Sequence, residues 1–313
     1  MSGHWRERLV HAGRRGGRLP LLGLHVLVGI LLAVALGPGR RRRYVSTRPL
    51  AWWSRKLCRI MGIQLRASGT PCGGSALFVA NHISWLDIFC IAAVCPTHFL
   101  AKQEVAGWPL FGWLCRRAGT AFIRRGGNNG AGEAMEQLVW RLRQGERVLV
   151  FPEGTSTTGE TVRRFHPRLF QAAILARCPV QAIALRYPHP TGVNPVVPFV
   201  GDDEFLPHLW RLLGEPDTLA ELWFGPVHLP PHPSRDVLAR QTHAEISTLA
   251  AASAADSSDH GESDSAPLPF QLGDFRLERM ASGFQLIDLA QGPVQGCHWR
   301  LERPSAGCRS GSA

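Results

Sequence analysis

Acidic side chains are almost missing from the first sixty residues, where Glu7 stands alone against thirteen Arg or Lys. The remaining 22 bases and 23 acids nearly cancel, so the net charge of +11 is an N-terminal property. Charge of either sign is absent from Leu19 to Leu36. The eight cysteines lack the paired spacing of a zinc site, which argues against a structural metal. Several of them lie in apolar runs, where Cys behaves as a small hydrophobe, and they read as reduced thiols facing the cytosol. There is no Gly-x-Ser-x-Gly elbow, which argues against a serine hydrolase of the α/β type. Nor do the arginines alternate with stacking aromatics, so a nucleic-acid partner is not expected. From Ala250 to Pro269 large apolar side chains nearly vanish, a composition that cannot bury a core and reads as a linker.

What is present begins with the uncharged run. As a helix, Leu19–Leu36 would reach about 27 Å, close to the hydrocarbon thickness of a bilayer. Arg14, Arg15 and Arg18 precede it and Arg40 to Arg43 follow it. Balanced basic flanks set no clear orientation and fit either a span or a re-entrant segment with both ends on the cytoplasmic side. A cleaved signal would be shorter and end in small residues, whereas Gly37-Pro38-Gly39 leads here into four arginines. The arginines favour an anionic lipid surface. Ala51 to Ile60, with Trp52 and Trp53 beside basic residues, suits the headgroup level, and Trp108, Phe111 and Trp113 extend that surface or form a buried cluster.

Beyond residue 60, short apolar runs alternate with helical patterns, which predicts an α/β fold with a mixed, mostly parallel sheet flanked by helices. Strands are expected at 76–80, 97–100, 120–124, 147–151, 180–186 and 196–200, and an amphipathic helix at 134–143 ended by Gly145. The organisation reads as a basic membrane-associated segment (1–60), a catalytic domain (61–249), a linker (250–269) and a tail with no assigned role (270–313). In that tail, residues 275–279 and 299–303 echo each other weakly, too little for a repeat architecture.

Directly after the run 76–80 come Asn81-His82-Ile83-Ser84-Trp85-Leu86-Asp87. An imidazole held by a carboxylate is the equipment for taking a proton from a hydroxyl. Five residues of continuous helix rotate about 500°, so His82 must precede the helix for the two side chains to meet. Ser84 and Asp87 have capping-box spacing, which supports a helix starting there and also offers Asp87 a purely structural role. Gly119-Thr120-Ala121-Phe122-Ile123-Arg124-Arg125 ends in arginines suited to phosphate oxygens, or to plain solvation. Phe151-Pro152-Glu153-Gly154-Thr155 follows another apolar run and makes a tight polar turn. All three polar sites sit at the ends of strand-like runs, where open α/β sheets bind ligands.

These blocks, with Cys178 to Leu185, resemble the glycerolipid acyltransferase family, typified by lysophosphatidate acyltransferase. The likeness covers about residues 75 to 190, and more loosely reaches about 225. The resemblance implies His82 as general base and Asp87 as its orienter. It also implies Arg125 as the phosphate ligand, and Asn81, Gly119, Phe122, Glu153, Gly154 and Thr155 around the acceptor. It implies no cofactor, no metal and no covalent acyl-enzyme. Acyl-CoA or acyl carrier protein would supply the thioester, membrane lipids would be the partners, and the site would face the cytosol at the inner membrane. Two departures stand out: Ala182 replaces the family's usual proline, and Phe165-His166-Pro167-Arg168 replaces its Phe-Lys-x-Gly-like stretch. Lysophosphatidate is the first expected acceptor, and a lyso-ornithine lipid the alternative within the class. A hydrolase or a non-catalytic membrane-binding module are the rivals from other classes.

Overall fold

The computed structural model describes residues 3–35, 47–107, 111–117, 119–123, 130–190, 192–256, 275–280, 283–288 and 292–293. Two helices, α1 (Gly3–Ala35) and α2 (Thr47–Ile60), precede the sheet. Then follow β1 (Ile63–Ser68), β2 (Ala76–Ala80), α3 (Leu86–Val94), β3 (His98–Lys102), α4 (Gln103–Ala106), α5 (Phe111–Arg117), β4 (Ala121–Ile123), α6 (Gly130–Arg143) and β5 (Arg147–Val150). A 3-10 turn at Pro167–Phe170 leads into α7 (Gln171–Ala176) and β6 (Val180–Arg186). The chain continues through the small hairpin β7 (Pro188–His189) and β8 (Gly192–Val193) to α8 (Phe205–Gly214), β9 (Thr218–His228) and α9 (Arg235–Asp256).

Seven strands form one sheet in the order β1-β9-β6-β2-β5-β3-β4. The five from β6 to β4 run parallel, β9 is antiparallel to β6, and β1 is parallel to β9. Every residue of β2 is buried, as a central parallel strand covered on both faces requires. The pleat sends Phe78, Ala80, Leu149, Ile183 and Leu185 into a core with α2, α3 and α8. Leu77, Val79, Val148, Val150, Ala182 and Ala184 enter a second core with α6, α7 and α9. The connection leaving β2 therefore crosses one face to β3, while the one leaving β5 crosses the other face to β6. Adjacent strands whose connections depart oppositely leave a crevice at their carboxyl ends.

Most expected strands fall where the apolar runs place them, but 196–200 does not. Pro195 and Pro198 remove two ladder donors, and Asn194 closes a turn through Oδ1 with the amides of Val196 and Val197. Two strands of the seven-stranded sheet, β1 and β9, are not marked by the apolar runs. In β9, Glu221, Gly225 and Pro226 interrupt the apolar pattern, and β1 is a short alternating edge. Helix α9 runs to Asp256, into the stretch read as linker, because its alanines favour helix. The rest of that linker lies outside the described residues.

Among the described residues, α1 is the one helix long and apolar enough to cross a membrane. It packs against α2 and α8. Its Leu24, Leu27, Leu31 and Val34 are exposed along one face, while Leu22, His25, Gly29 and Ala33 share the other. Gly29 is where Trp53 approaches closely: a Cβ there would lie 2.6 Å from the indole nitrogen. That nitrogen donates to the His25 carbonyl at 3.1 Å, and the His25 Nε2 bonds the Trp53 carbonyl at 2.9 Å. The basic flank also has internal partners. Arg15 Nε donates to the Trp210 carbonyl at 3.0 Å, and Arg18 reaches the Glu215 carbonyl at 2.7 Å and Asp217 at 2.8 Å. These cations satisfy the carbonyls that end α8, where the helix dipole is negative.

A second unit, residues 262–313, contains three antiparallel strands: β10 (Phe275–Met280), β11 (Gly283–Asp288) and β12 (Gly292–Pro293). Residues 275–279 fall within β10; their weak echo at 299–303 lies outside the described residues.

Candidate active site

The crevice between β2 and β5 holds the His82 turn. Asn81 ends β2 with a side-chain rung: its Nδ2 donates to the Leu185 carbonyl at 2.9 Å and its Oδ1 accepts the Leu185 amide at 2.8 Å. His82 then leaves the sheet, four residues before α3 begins at Leu86. Its Nδ1 is 2.8 Å from Asp87 Oδ2, so the turn brings together the two residues that a helix would have separated. Asp87 is fully buried, whereas the His82 side chain is 20% exposed. An acceptor at Nδ1 assigns the proton to that nitrogen and leaves a lone pair on Nε2.

Asp87 Oδ2 also accepts the amides of Ile83 at 2.7 Å and Ser84 at 2.9 Å. The capping box is half realised: Asp87 reaches back to the Ser84 amide, but Ser84 Oγ is buried without a partner among the described residues. Asp87 therefore serves the turn and the imidazole with the same oxygen. Its other oxygen, Oδ1, accepts from Tyr187 Oη at 2.8 Å. Burial and the charge of Asp87 push the Tyr187 phenol well above its usual range, so it stays a donor.

Glu153 braces the turn from the β5 side. Its Oε1 accepts the His82 amide at 2.7 Å and its Oε2 accepts the Arg163 amide at 2.8 Å. Burial raises its pKa, against the lowering effect of those two amides. Gly154 adopts a φ of 75°, which lets the chain turn directly after the carboxylate. Thr157 completes the frame, its amide donating to the His82 carbonyl at 2.8 Å. Phe151 stacks on the imidazole, with centroids 4.1 Å apart and planes at 16°. The loop at 194–200 closes a further side through the Phe199 amide, 2.9 Å from the Ile83 carbonyl.

The structure thus gathers Asn81, His82, Asp87 and Glu153, with Gly154 and Thr155 on the same turn. Phe122 is the middle residue of β4, three strands from β2 and so roughly 14 Å away across the sheet. Gly119 precedes β4, at the amino end of that strand, with a φ of 81°. Neither has a described contact with the His82 turn. Arg125 lies outside the described residues, as does Trp108. Phe165, from the departing stretch, is buried against Phe170 and His243, while His166 is exposed and its amide donates to the Pro152 carbonyl at 2.9 Å. Ala182 sits in β6 beside a register shift against β9, 3.5 Å from where a Cβ on Gly225 would lie. Tyr187 and Phe151 were not anticipated as site residues. Each is the first residue beyond a central parallel strand, the criterion that singled out the His82 turn.

An α/β sheet with a His–Asp pair at its switch point defines a class of possible proton-abstracting enzymes, and comparison with known proteins narrows it. The profile of the family described as Acyltransferase matches residues 62–186. The lyso-ornithine lipid O-acyltransferase of Pseudomonas aeruginosa is 41% identical over 209 residues, 66% of this chain and 80% of that protein. The 1-acyl-sn-glycerol-3-phosphate acyltransferase of Neisseria gonorrhoeae is 36% identical over 153 residues, 49% of this chain and 60% of that one. The crystal structure of the 1-acyl-sn-glycerophosphate acyltransferase PlsC from Thermotoga maritima shares the fold, with a TM-score of 0.60 at 16% identity, covering 82% of this chain and all of that one. The chain belongs to the acyltransferase family.

Proposed function

We propose that the protein moves a fatty acyl group from an acyl thioester to the hydroxyl of a lysolipid, with lyso-ornithine lipid as the acceptor. Sequence reasoning ranked lysophosphatidate first. The order is reversed here because the Pseudomonas relative is both more alike and alike over more of its length than the gonococcal one. The exposed His166, standing where the family's lysine is expected, supports the same choice.

In this reading His82 is the general base and Asp87 holds its tautomer, and the observation that carries both is the 2.8 Å contact between them. Nε2 takes the acceptor's hydroxyl proton as the oxygen attacks the thioester carbonyl. The tetrahedral intermediate then expels thiolate, which recovers the proton from the imidazolium, and a carbon–oxygen bond has replaced a carbon–sulfur bond. No acyl-enzyme forms, because the thioester is already activated. Glu153, Gly154 and Thr155 shape the acceptor side by fixing the backbone of the turn. Gly119, Phe122 and Arg125 keep the place the family resemblance gives them, around the acceptor, with Arg125 facing an anionic group of its head.

The donor is coenzyme A or acyl carrier protein thioester, and the enzyme works at the cytosolic face of the inner membrane. The exposed apolar face of α1 supports membrane association. The decisive experiment measures thiol release from each acyl thioester with lyso-ornithine lipid, with lysophosphatidate, or with neither. Release only with lyso-ornithine lipid is expected. Turnover with lysophosphatidate alone would reassign the acceptor, and release without any lysolipid would make the protein a hydrolase.

A further inference from the structure

Asp87 is a charged group with no exposed surface, and such a group must have its lone pairs matched by donors. Three donors crowd Oδ2: His82 Nδ1 and the amides of Ile83 and Ser84. Among the described residues, a single donor serves Oδ1, the hydroxyl of Tyr187 at 2.8 Å. The two amides are fixed in the turn and set where Oδ2 lies. Rotation about Cβ–Cγ moves both oxygens, so these bonds resist it from one side only, and a donor on Oδ1 can hold the carboxylate from the other. Tyr187 is well placed to do so, being buried and the first residue beyond β6, on a strand that is hydrogen-bonded directly to β2. Cys90 lies on the turn of α3 after Asp87, its Sγ 3.6 Å from Tyr187 Oη, which limits the phenol's movement in turn.

We propose that Tyr187 is a positioning residue for acyl transfer: its hydroxyl locks the Asp87 carboxylate against His82 and sets how strongly that carboxylate holds the imidazolium. The inference rests on His82 being the base. A hydrogen bond to Oδ1 withdraws charge from the carboxylate and moderates its pull on the protonated ring. Removing the donor concentrates negative charge on Asp87, so the imidazolium is held more tightly and the neutral, competent base appears only at higher pH. The other ionisable groups around the pair are Glu153, across the crevice, and the thiol of Cys90 with Cys58 behind it. None of these loses a partner from Asp87 or His82 when the phenol oxygen alone is removed.

The test is the pH dependence of kcat/KM for the full chain in membranes, using palmitoyl-CoA with lyso-ornithine lipid, or with lysophosphatidate if only that turns over. For Tyr187→Phe the acid limb should move up by about half to one pH unit. Activity near pH 7 should then fall by roughly three- to tenfold and return toward wild type near pH 9. The chain has two tyrosines, Tyr44 and Tyr187, so uniform 3-fluorotyrosine labelling of a Tyr44→Phe background alters one phenol. That more acidic donor should shift the limb the opposite way, to lower pH, with the protein's unfolding temperature unchanged. Equal loss at every pH with an unmoved limb, or no effect of either replacement, would overturn the role given to Tyr187. The parallel His82→Ala variant separates the two ideas: retained activity there would refute the base itself, whereas an inactive His82→Ala with unmoved limbs would refute only Tyr187.

Discussion

Glu153 holds His82 by its backbone, not by its ring: Oε1 lies 2.7 Å from the His82 amide nitrogen. A carboxylate beside the proposed base invites a chemical role, but both oxygens of Glu153 are occupied by amides of the chain. Replacing it by Gln keeps one acceptor and turns an amide nitrogen toward another donor. Glu153→Gln should therefore cost about 1–3 kcal/mol of stability. Urea unfolding checks the first effect, and a decline in kcat from the displaced turn should accompany it in the thiol-release assay.

The proposed base and its proposed orienter should differ in how they fail. His82→Ala removes the proton acceptor and should reduce kcat by about 10²–10⁴-fold at all pH values. Asp87→Asn keeps the shape but presents a mixed donor and acceptor to Nδ1, which disturbs the tautomer. Steady-state kinetics should show a comparable loss, while thermal unfolding should show that Asp87→Asn is also the less stable variant, since two turn amides share Oδ2.

Phe151 contributes by contact alone. Its ring lies parallel to the imidazole, and Phe151→Leu keeps the bulk while losing the flat surface. An aromatic pair of this kind contributes about 0.5–1.5 kcal/mol, so a three- to tenfold fall in kcat/KM is expected with little change in unfolding temperature. A variant with wild-type kinetics would show that the turn alone fixes the ring.

The junction of α1 with α2 has its own test. Gly29→Ala sets a methyl group 2.6 Å from Trp53 Nε1, inside van der Waals contact, which pushes the indole off its bond to the His25 carbonyl. The expected outcome is loss of α1 docking, read as earlier protease cleavage in the first sixty residues. Catalysis on lysolipid dispersed in detergent should change less than catalysis on lysolipid in vesicles.

The parts of the site that were legible in the sequence are local. His82, Asp87 and the Glu153 turn lie within or just beyond single apolar runs, so strand endings and spacing picked them out and the family resemblance linked them. Tyr187 is 100 residues from Asp87, and Arg18 is 199 from Asp217; pairs of that kind depend on strand order, which periodicity does not report. The same limit explains the arginines before the apolar run. Read along the chain they are a basic flank suited to lipid, but folded they end α8. The strand expected at 196–200 failed for a different reason. Its apolar residues are real, but Pro195 and Pro198 deny it a ladder, and the segment became a wall of the crevice instead.

The Asn81 amide that stands in for a backbone rung has a consequence for the timing of hydrogen exchange. Leu185 keeps its partner and the His82 amide is handed to Glu153, so neither is open to solvent although one belongs to a loop. With Ile83 and Ser84 bonded to Asp87, the whole turn should exchange deuterium as slowly as the central strands, opening only when the sheet does.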